Sequence, residues 1–294
     1  MVDLHGIPVV VTGAGGWLGQ AALEIAHQSG AEIHAFGSRP REHRFLDGTT
    51  VSVLPLSSLD MQELSGALVL HMAFLTREHA ARMDEADYIA ANRTISEFVA
   101  GFIKRNGARG VFVPSSGAVY APPPNPYGVC KLEDEGRFTM LGSMLSIPTV
   151  IIRIFNLAGP FINKQKSYVL SCILNDLLAG RPVTLNAAHP VWRGYAHVND
   201  VLNVALGLLL AGHSPLVFDS WGEPVEISAL AARAAQVAQR ELVLQRPEWR
   251  NGASDYYMGD EKAYLSHTAS LNLTPSALEK QIRDTMVYLT ITAT

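Results

Sequence analysis

The chain has 294 residues, 48% of them hydrophobic and 17% charged, with a formal net charge of −4. This is enough apolar chain for a substantial buried core, and it excludes a disordered protein and a nucleic-acid binder that works through a broadly basic surface. Cys130 and Cys172 are the only cysteines, so no disulfide framework is available, and no His/Cys/Asp spacing points to a metal site.

The opening Met1-Val2-Asp3-Leu4-His5 carries an acid and no long apolar core, unlike a secretion signal. Ile7-Pro8-Val9-Val10-Val11-Thr12 is a β-branched run that reads as a buried parallel strand. It leads into Gly13-Ala14-Gly15-Gly16-Trp17-Leu18-Gly19, and a helical pattern follows through Ala21, Leu23, Ile25 and Ala26. Glycines at 13, 16 and 19 between a strand and a helix let the backbone approach a pyrophosphate, and the helix start offers amides and a favourable dipole. Gly13, Gly16, Trp17, Leu18 and Gly19 are therefore expected to bind a dinucleotide.

The second strand, Glu32-Ile33-His34-Ala35-Phe36, ends where such a fold reads the adenosine ribose. An NAD site usually places Asp or Glu there. This chain has Gly37-Ser38-Arg39-Pro40-Arg41, with a hydroxyl and two guanidinium groups suited to a 2′-phosphate. NADP(H) is the expected cofactor, through Ser38 and Arg39, with NAD(H) as the other possibility; the alternative reading keeps Arg39 and Arg41 as solvated loop charges. Residues 68–73 read as a further strand, whose His71 is of a kind more often packed than liganded, and 111–114 as the next. A helical stretch between them, 88–104, includes Asn92.

Ser115-Ser116-Gly117-Ala118-Val119-Tyr120 follows that strand, and Tyr127-Gly128-Val129-Cys130-Lys131 comes soon after. Tyr127 and Lys131 are four apart, hence on one face of a helix. A phenol has an ordinary pKa of about 10, and a nearby ammonium favours its phenolate. Ser116 could hold a carbonyl oxygen while Tyr127 gives or takes its proton, which is acid–base chemistry on an alcohol/ketone pair.

Beyond residue 160 the β/α alternation breaks down: 167–178 reads as a helix, 182–185 as a short strand, 198–210 as a helix, 216–219 as a strand, 228–240 as a helix and 274–289 as a capped helix. The longest apolar stretch, around 201–210, is interrupted by Asn203 and Gly207 and is too short to span a bilayer, so a soluble, cytoplasmic protein is expected.

The sequence resembles the extended short-chain dehydrogenase/reductases, which include nucleotide-sugar epimerases, dehydratases and ketoreductases. The resemblance rests on Gly13/Gly16/Gly19, His71-Met72-Ala73, Asn92, the Ser115–Tyr120 segment, Tyr127-x-x-x-Lys131, Arg153-Ile154-Phe155-Asn156-Leu157-Ala158-Gly159-Pro160 and Trp192-Arg193-Gly194-Tyr195-Ala196-His197-Val198-Asn199-Asp200. It implies an α/β fold, a Rossmann-type doubly wound parallel sheet (1–160 and 195–222) with a smaller, interleaved C-terminal substrate lobe (161–194 and 223–294) and a binding cleft between the lobes. It implies catalysis by Ser116, Tyr127 and Lys131, cofactor contacts from His71, Ala73, Asn92, Tyr127 and Lys131, and substrate contacts from Ser116, Asn156, Arg193 and Arg246. The implied substrate is a small molecule, a nucleotide sugar, with no nucleic-acid or membrane partner, and relatives often form homodimers through the helices carrying Asn92 and Tyr127. Asn156 as a turn cap and Arg246 as a surface charge stand as alternatives.

Departures are Gly194, where relatives usually carry Asp, the missing adenine-side Asp near Pro55-Leu56, and the short loop Ala121-Pro122-Pro123-Pro124-Asn125-Pro126. Gly117 and Ala118 stand where dehydratases carry Asp-Glu, which disfavours dehydration. The Ser38/Arg39 loop favours an NADP(H)-dependent ketoreductase of a nucleotide-linked keto sugar. The alternatives are a nucleotide-sugar epimerase with tightly bound NAD(P), a reductase of small carbonyls, and a non-catalytic NADP-sensing regulator.

Overall fold

The apolar run after Ile7 forms β1 (Pro8–Thr12), buried from Val9 onward. A computed structural model describes residues 2–213, 215–250 and 252–292; Met1, Ser214, Asn251, Ala293 and Thr294, which fall inside the expected domain ranges, lie outside the described residues. The chain divides into two compact units, residues 1–154 with 202–218, and residues 155–201 with 219–294.

In the first unit, β1 is followed by α1 (Trp17–Gln28), β2 (Glu32–Gly37), β3 (Arg41–Arg44), β4 (Thr50–Pro55) and β5 (Leu68–His71). Then come α2 (Arg77–Ala80), α3 (Glu85–Asn106), β6 (Gly110–Ser116), α4 (Pro126–Leu145) and β7 (Thr149–Ile154). After residues of the second unit, the chain returns through α6 (Val198–Leu210) to β11 (Leu216–Asp219). The eight strands form one sheet in the order β11-β7-β6-β5-β1-β2-β4-β3. β1 pairs in parallel with both β2 and β5, so the chain reverses its direction of winding beside β1. In open α/β sheets that reversal opens a crevice at the carboxyl ends of the strands, which puts Thr12 and His71 at its base.

Burial on both faces explains the unbroken apolar strands: every residue of β5 and β6 is buried. Val10, Val69, Val111, Val113 and Ile151 from the sheet pack with Val99, Phe102 and Ile103 of α3 and Phe138 and Leu141 of α4. Asn125 starts α4 by accepting from the Gly128 amide at 2.9 Å, with Pro126 in the first turn.

Arg41, read from the sequence as a loop residue, lies in a strand. β3 pairs antiparallel with β4, His43 of β3 is buried, and Asp47-Gly48 turns the chain between them, with Gly48 at φ 88°. The turn is tied to α1, because Glu24 accepts from the Leu46 amide at 3.2 Å and His27 stacks on Phe45 at 4.0 Å. The strand was missed because its alternating polar face is solvent-exposed and carries no apolar run.

The second unit holds β8 (Asn156–Ala158), α5 (Val169–Leu178), β9 (Val183–Thr184), β10 (Val191–His197), β12 (Pro224–Glu226), α7 (Ile227–Ala238), β13 (Leu244–Gln245), β14 (Asp255–Tyr257), α8 (Glu261–Ser270) and α9 (Leu278–Thr292). β10 pairs with β8, β12 and β14. The helix expected over 274–289 begins at Leu278 instead. Ser276 donates its amide and its hydroxyl to the Asp200 carboxylate, at 2.7 and 3.2 Å, so the preceding residues are held outside the helix. No helix among the described residues is long and apolar enough to cross a membrane.

Candidate active site

The glycine turn stands at the crevice beside β1. Gly13 adopts φ +68°, and a Cβ there would lie 2.5 Å from the Met72 carbonyl carbon. A Cβ on Gly19 would lie 2.2 Å from the Gly13 oxygen. Neither position admits a side chain, so the turn closes tightly against both the strand end and the helix. Gly16 caps α1 in extended backbone; no side chain caps this helix, and its first turn has no acid. A helix start without an anion of its own suits a pyrophosphate, so a dinucleotide fits the residues present. Trp17 is buried and Leu18 half-buried in that first turn.

His71 is buried, packs on Phe138 at 5.1 Å and shares a 2.9 Å hydrogen bond between its Nδ1 and the Thr12 hydroxyl. Burial, helped by the charges of Lys131 and Arg137, drives its pKa down to about 3, so the imidazole is neutral. The same Thr12 oxygen accepts from the Ala73 amide at 3.2 Å. Asn92 is buried in α3; it accepts from the Leu75 amide at 2.8 Å and donates to the Tyr88 carbonyl at 3.2 Å. Tyr88 in turn donates its hydroxyl to the Leu75 carbonyl at 2.6 Å, so α3 holds Leu75 by both backbone groups.

Ser116 ends β6, and its Oγ accepts from the Ala118 amide at 3.2 Å, starting the turn Gly117–Tyr120. Gly128 lets the first turn of α4 close on that segment: a Cβ there would lie 2.4 Å from the Ala118 carbonyl oxygen. Tyr127 and Lys131 therefore rise from a helix start pressed against the end of the strand that carries Ser116. Lys131 is buried, and its ammonium donates to the Pro114 carbonyl at 2.8 Å. Burial pushes its pKa down to about 8, against the opposing pull of Asp134, Cys130 and Glu135. The Phe74 ring joins the pair: the ammonium lies 3.6 Å from its centroid, and the Tyr127 ring meets it at 5.7 Å and 83°.

Three further residues brace this site. Glu135 of α4 receives Arg153 of β7 through both oxygens, at 2.9 and 2.7 Å, and Ser115 donates to it at 2.5 Å. Arg153 also donates to the Tyr120 hydroxyl at 2.6 Å. The bidentate pair raises the Arg153 pKa and ties α4, β6 and β7 together one residue before Ser116. Sequence reasoning missed Glu135 and Phe74, and named Ser115 and Gly128 only as members of their segments, with no role. The only available signal was the spacing of Glu135, four residues after Lys131 on the same helix face.

Of the 2′-phosphate residues, Ser38 and Arg39 are both exposed. Arg41 donates to the Ala14 carbonyl at 3.0 Å, and its guanidinium lies 3.1 Å from where a Gly15 Cβ would stand.

In the second unit, Asn156 donates to the Gly194 and Tyr257 carbonyls at 3.2 and 3.1 Å. Arg193 pairs with Asp255 at 2.7 Å and donates to the Trp192 carbonyl at 2.8 Å. Arg246 is almost wholly enclosed: it donates to the Ala187 and His189 carbonyls at 2.9 and 2.7 Å, pairs with Glu226 at 2.9 Å, and lies over Trp249 at 4.7 Å.

Residues 9–218 match the family described as NAD dependent epimerase/dehydratase. The chain belongs to this family. It is an enzyme of the NAD(P)-dependent epimerase/dehydratase class, with the Rossmann-like fold of that family. No curated protein matches the sequence significantly.

Among solved structures, the chain is similar to UDP-N-acetylglucosamine 4-epimerase from Methanobrevibacter ruminantium in complex with UDP-N-acetylmuramic acid, at 18% identity and TM-score 0.79, covering 98% of this chain and all of that one. It is similar to the UDP-glucose 4-epimerase of Thermus thermophilus in complex with NAD, at 20% identity and TM-score 0.71, covering 97% of this chain and 99% of that one. It also resembles UDP-glucuronic acid 4-epimerase from Bacillus cereus in complex with UDP-glucuronic acid and NAD, at 16% identity and TM-score 0.74, covering 97% of this chain and all of that one. At these identities the likeness is one of fold.

The expectation of NADP(H) is overturned. The cofactor held by the Thermus and Bacillus structures is NAD. Arg41, one of the cations counted toward a 2′-phosphate, is turned onto the Ala14 carbonyl of the glycine turn. The preference for an NADP(H)-dependent ketoreductase rested on that loop, and it falls with the cofactor.

Proposed function

We propose that this chain is a nucleotide-sugar epimerase that uses NAD(H), with Tyr127 as acid and base, Lys131 as its charged partner and Ser116 as the hydroxyl that holds the reacting oxygen. The observation that carries this reading is the buried Lys131 ammonium, fixed on the Pro114 carbonyl one turn from Tyr127 and two residues from the strand end at Ser116. Gly13, Gly16 and Gly19 would hold the dinucleotide, which supplies hydride acceptance and return when bound. Tyr127 takes the proton of a sugar hydroxyl as that carbon is oxidised, and gives it back when the carbon is reduced from the other face. The Lys131 charge favours the phenolate needed in the first half. Ser116 hydrogen-bonds the sugar oxygen, stabilising it where charge develops.

The similar structures that carry NAD and a UDP-sugar support this reading over reduction with a dissociating cofactor. In the same proposal, the second unit receives the nucleotide part of the substrate. The test is incubation of the purified protein and NAD with UDP-glucose, UDP-N-acetylglucosamine and UDP-glucuronic acid in turn, followed by proton NMR of the sugar. One of them is expected to equilibrate with its epimer. No exchange with any of the three, while NAD is bound, would remove the epimerase reading.

A further inference from the structure

Phe74 belongs to none of the motifs, yet it touches both members of the proposed acid–base pair. The Lys131 ammonium lies 3.6 Å from the centroid of its ring, and the Tyr127 ring stands nearly perpendicular to it at 5.7 Å. Its backbone is held on both sides. The Ala73 amide donates to Thr12 Oγ at 3.2 Å, and Leu75 is bound by Asn92 and Tyr88 at 2.8 and 2.6 Å. With both neighbours tied in this way, Phe74 is a built feature of the site.

We infer that Phe74 is a positioning residue for Tyr127 and Lys131, whose ring face stabilises the buried ammonium and whose contact with the phenol ring holds the two side chains in one arrangement. The inference rests on the acid–base reading above. Lys131 has lost its water to burial and donates to one backbone carbonyl. The negative face of an aromatic ring offsets part of that desolvation, and it does so most strongly where water is excluded. The other titratable groups that act on the ammonium are Cys130, Asp134 and Glu135 of its own helix and His71 on β5, which is kept neutral by burial; Tyr127 stands one turn before it on the helix. The ring acts alongside the carboxylates of Asp134 and Glu135, whose pull on the ammonium is through charge.

With the ring gone, the charged form of Lys131 is less favoured, and the ammonium loses its proton at lower pH. The test is an NMR titration of Lys131 in NAD-loaded protein carrying isotope-labelled lysine, the resonance being assigned with Lys131→Met. Phe74→Leu is expected to lower the Lys131 titration midpoint by roughly 0.5–1.5 pH units. The alkaline limb of the pH–rate profile should move down with it, and Phe74→Tyr, which keeps the ring, should restore both. Trifluorophenylalanine at position 74 keeps the shape, weakens the negative face, and is expected to give a smaller shift in the same direction, so a poorly folded leucine variant does not end the test. A Lys131 midpoint that stays at the wild-type value in both the leucine and the fluorinated protein overturns the inference. The titration is independent of turnover. Normal turnover in Tyr127→Phe with a shifted Lys131 midpoint would therefore defeat the acid–base reading and leave the role of Phe74 toward the ammonium standing.

Discussion

The two units treat their motif residues in opposite ways. In the first, the residues singled out by sequence stand where strands end and helices begin: Gly13 after β1, Ser116 at the end of β6, Tyr127 in the first turn of α4. A parallel sheet delivers all of these to one edge, because its strands run the same way and each is followed by a helix start. In the second, the residues singled out are cations and an amide, and the unit's own backbone claims them. Arg246 is bonded to two carbonyls and Glu226, and Asn156 to two carbonyls, while Arg193 keeps more exposure beside Asp255. Position along a parallel strand thus places a side chain at the sheet's carboxyl end, whereas the chemistry of an isolated arginine does not say where it stands.

Five substitutions, one of them read through a pH dependence, would break or sharpen that contrast. Tyr127→Phe should lower turnover by about 10²- to 10⁴-fold while NAD still binds, as read by single-turnover kinetics and calorimetry. Arg246→Ala should act on stability: it leaves the Glu226 carboxylate enclosed without its cation, at a cost of about 3–5 kcal/mol in chemical denaturation. Equal stability with a raised KM would reverse the assignment and make Arg246 a binding group. Gly19→Ala places a methyl group against the Gly13 oxygen and should cost roughly 1–3 kcal/mol of stability, with NAD affinity lost alongside if, as proposed, the same turn cradles the dinucleotide.

Lys131 gives the pH dependence. Its pKa is depressed to about 8, so it is charged below that value and neutral above it. The oxidative half-reaction should therefore weaken as pH rises through about 8, and Lys131→Met should abolish that limb of the rate profile. The smallest stability effect belongs to Arg193→Ala. Its partner Asp255 is 45% exposed, so the ion pair contributes under about 1 kcal/mol. If the nucleotide part of the substrate docks there, KM should rise about tenfold, as for one lost charge-assisted hydrogen bond.

Much of the fold is legible in the chain itself. A run such as Val9-Val10-Val11 or Gly110–Val113 has no polar face, so it can only lie inside a sheet covered on both sides. Strand β3 was not legible, because Arg41-Glu42-His43-Arg44 carries no apolar run and buries only His43. The start of α9 was misread for a different reason. Thr274 looks like a cap in sequence, but the carboxylate that binds the Ser276 amide is Asp200, and nothing local announces a partner so far away in the chain.

The candidate site divides along the same line. Glycine spacing and the four-residue interval from Tyr127 to Lys131 are local facts, set by the helical period and by the room a backbone needs, and the sequence by itself determined them. Only the tertiary structure decided that the Lys131 ammonium would be buried on the Pro114 carbonyl beneath the Phe74 ring, that Glu135 would be braced by Arg153 and Ser115, and that Arg246 would be enclosed. Charge and desolvation depend on which groups are brought within a few ångströms, and that is a property of packing between segments far apart in the chain.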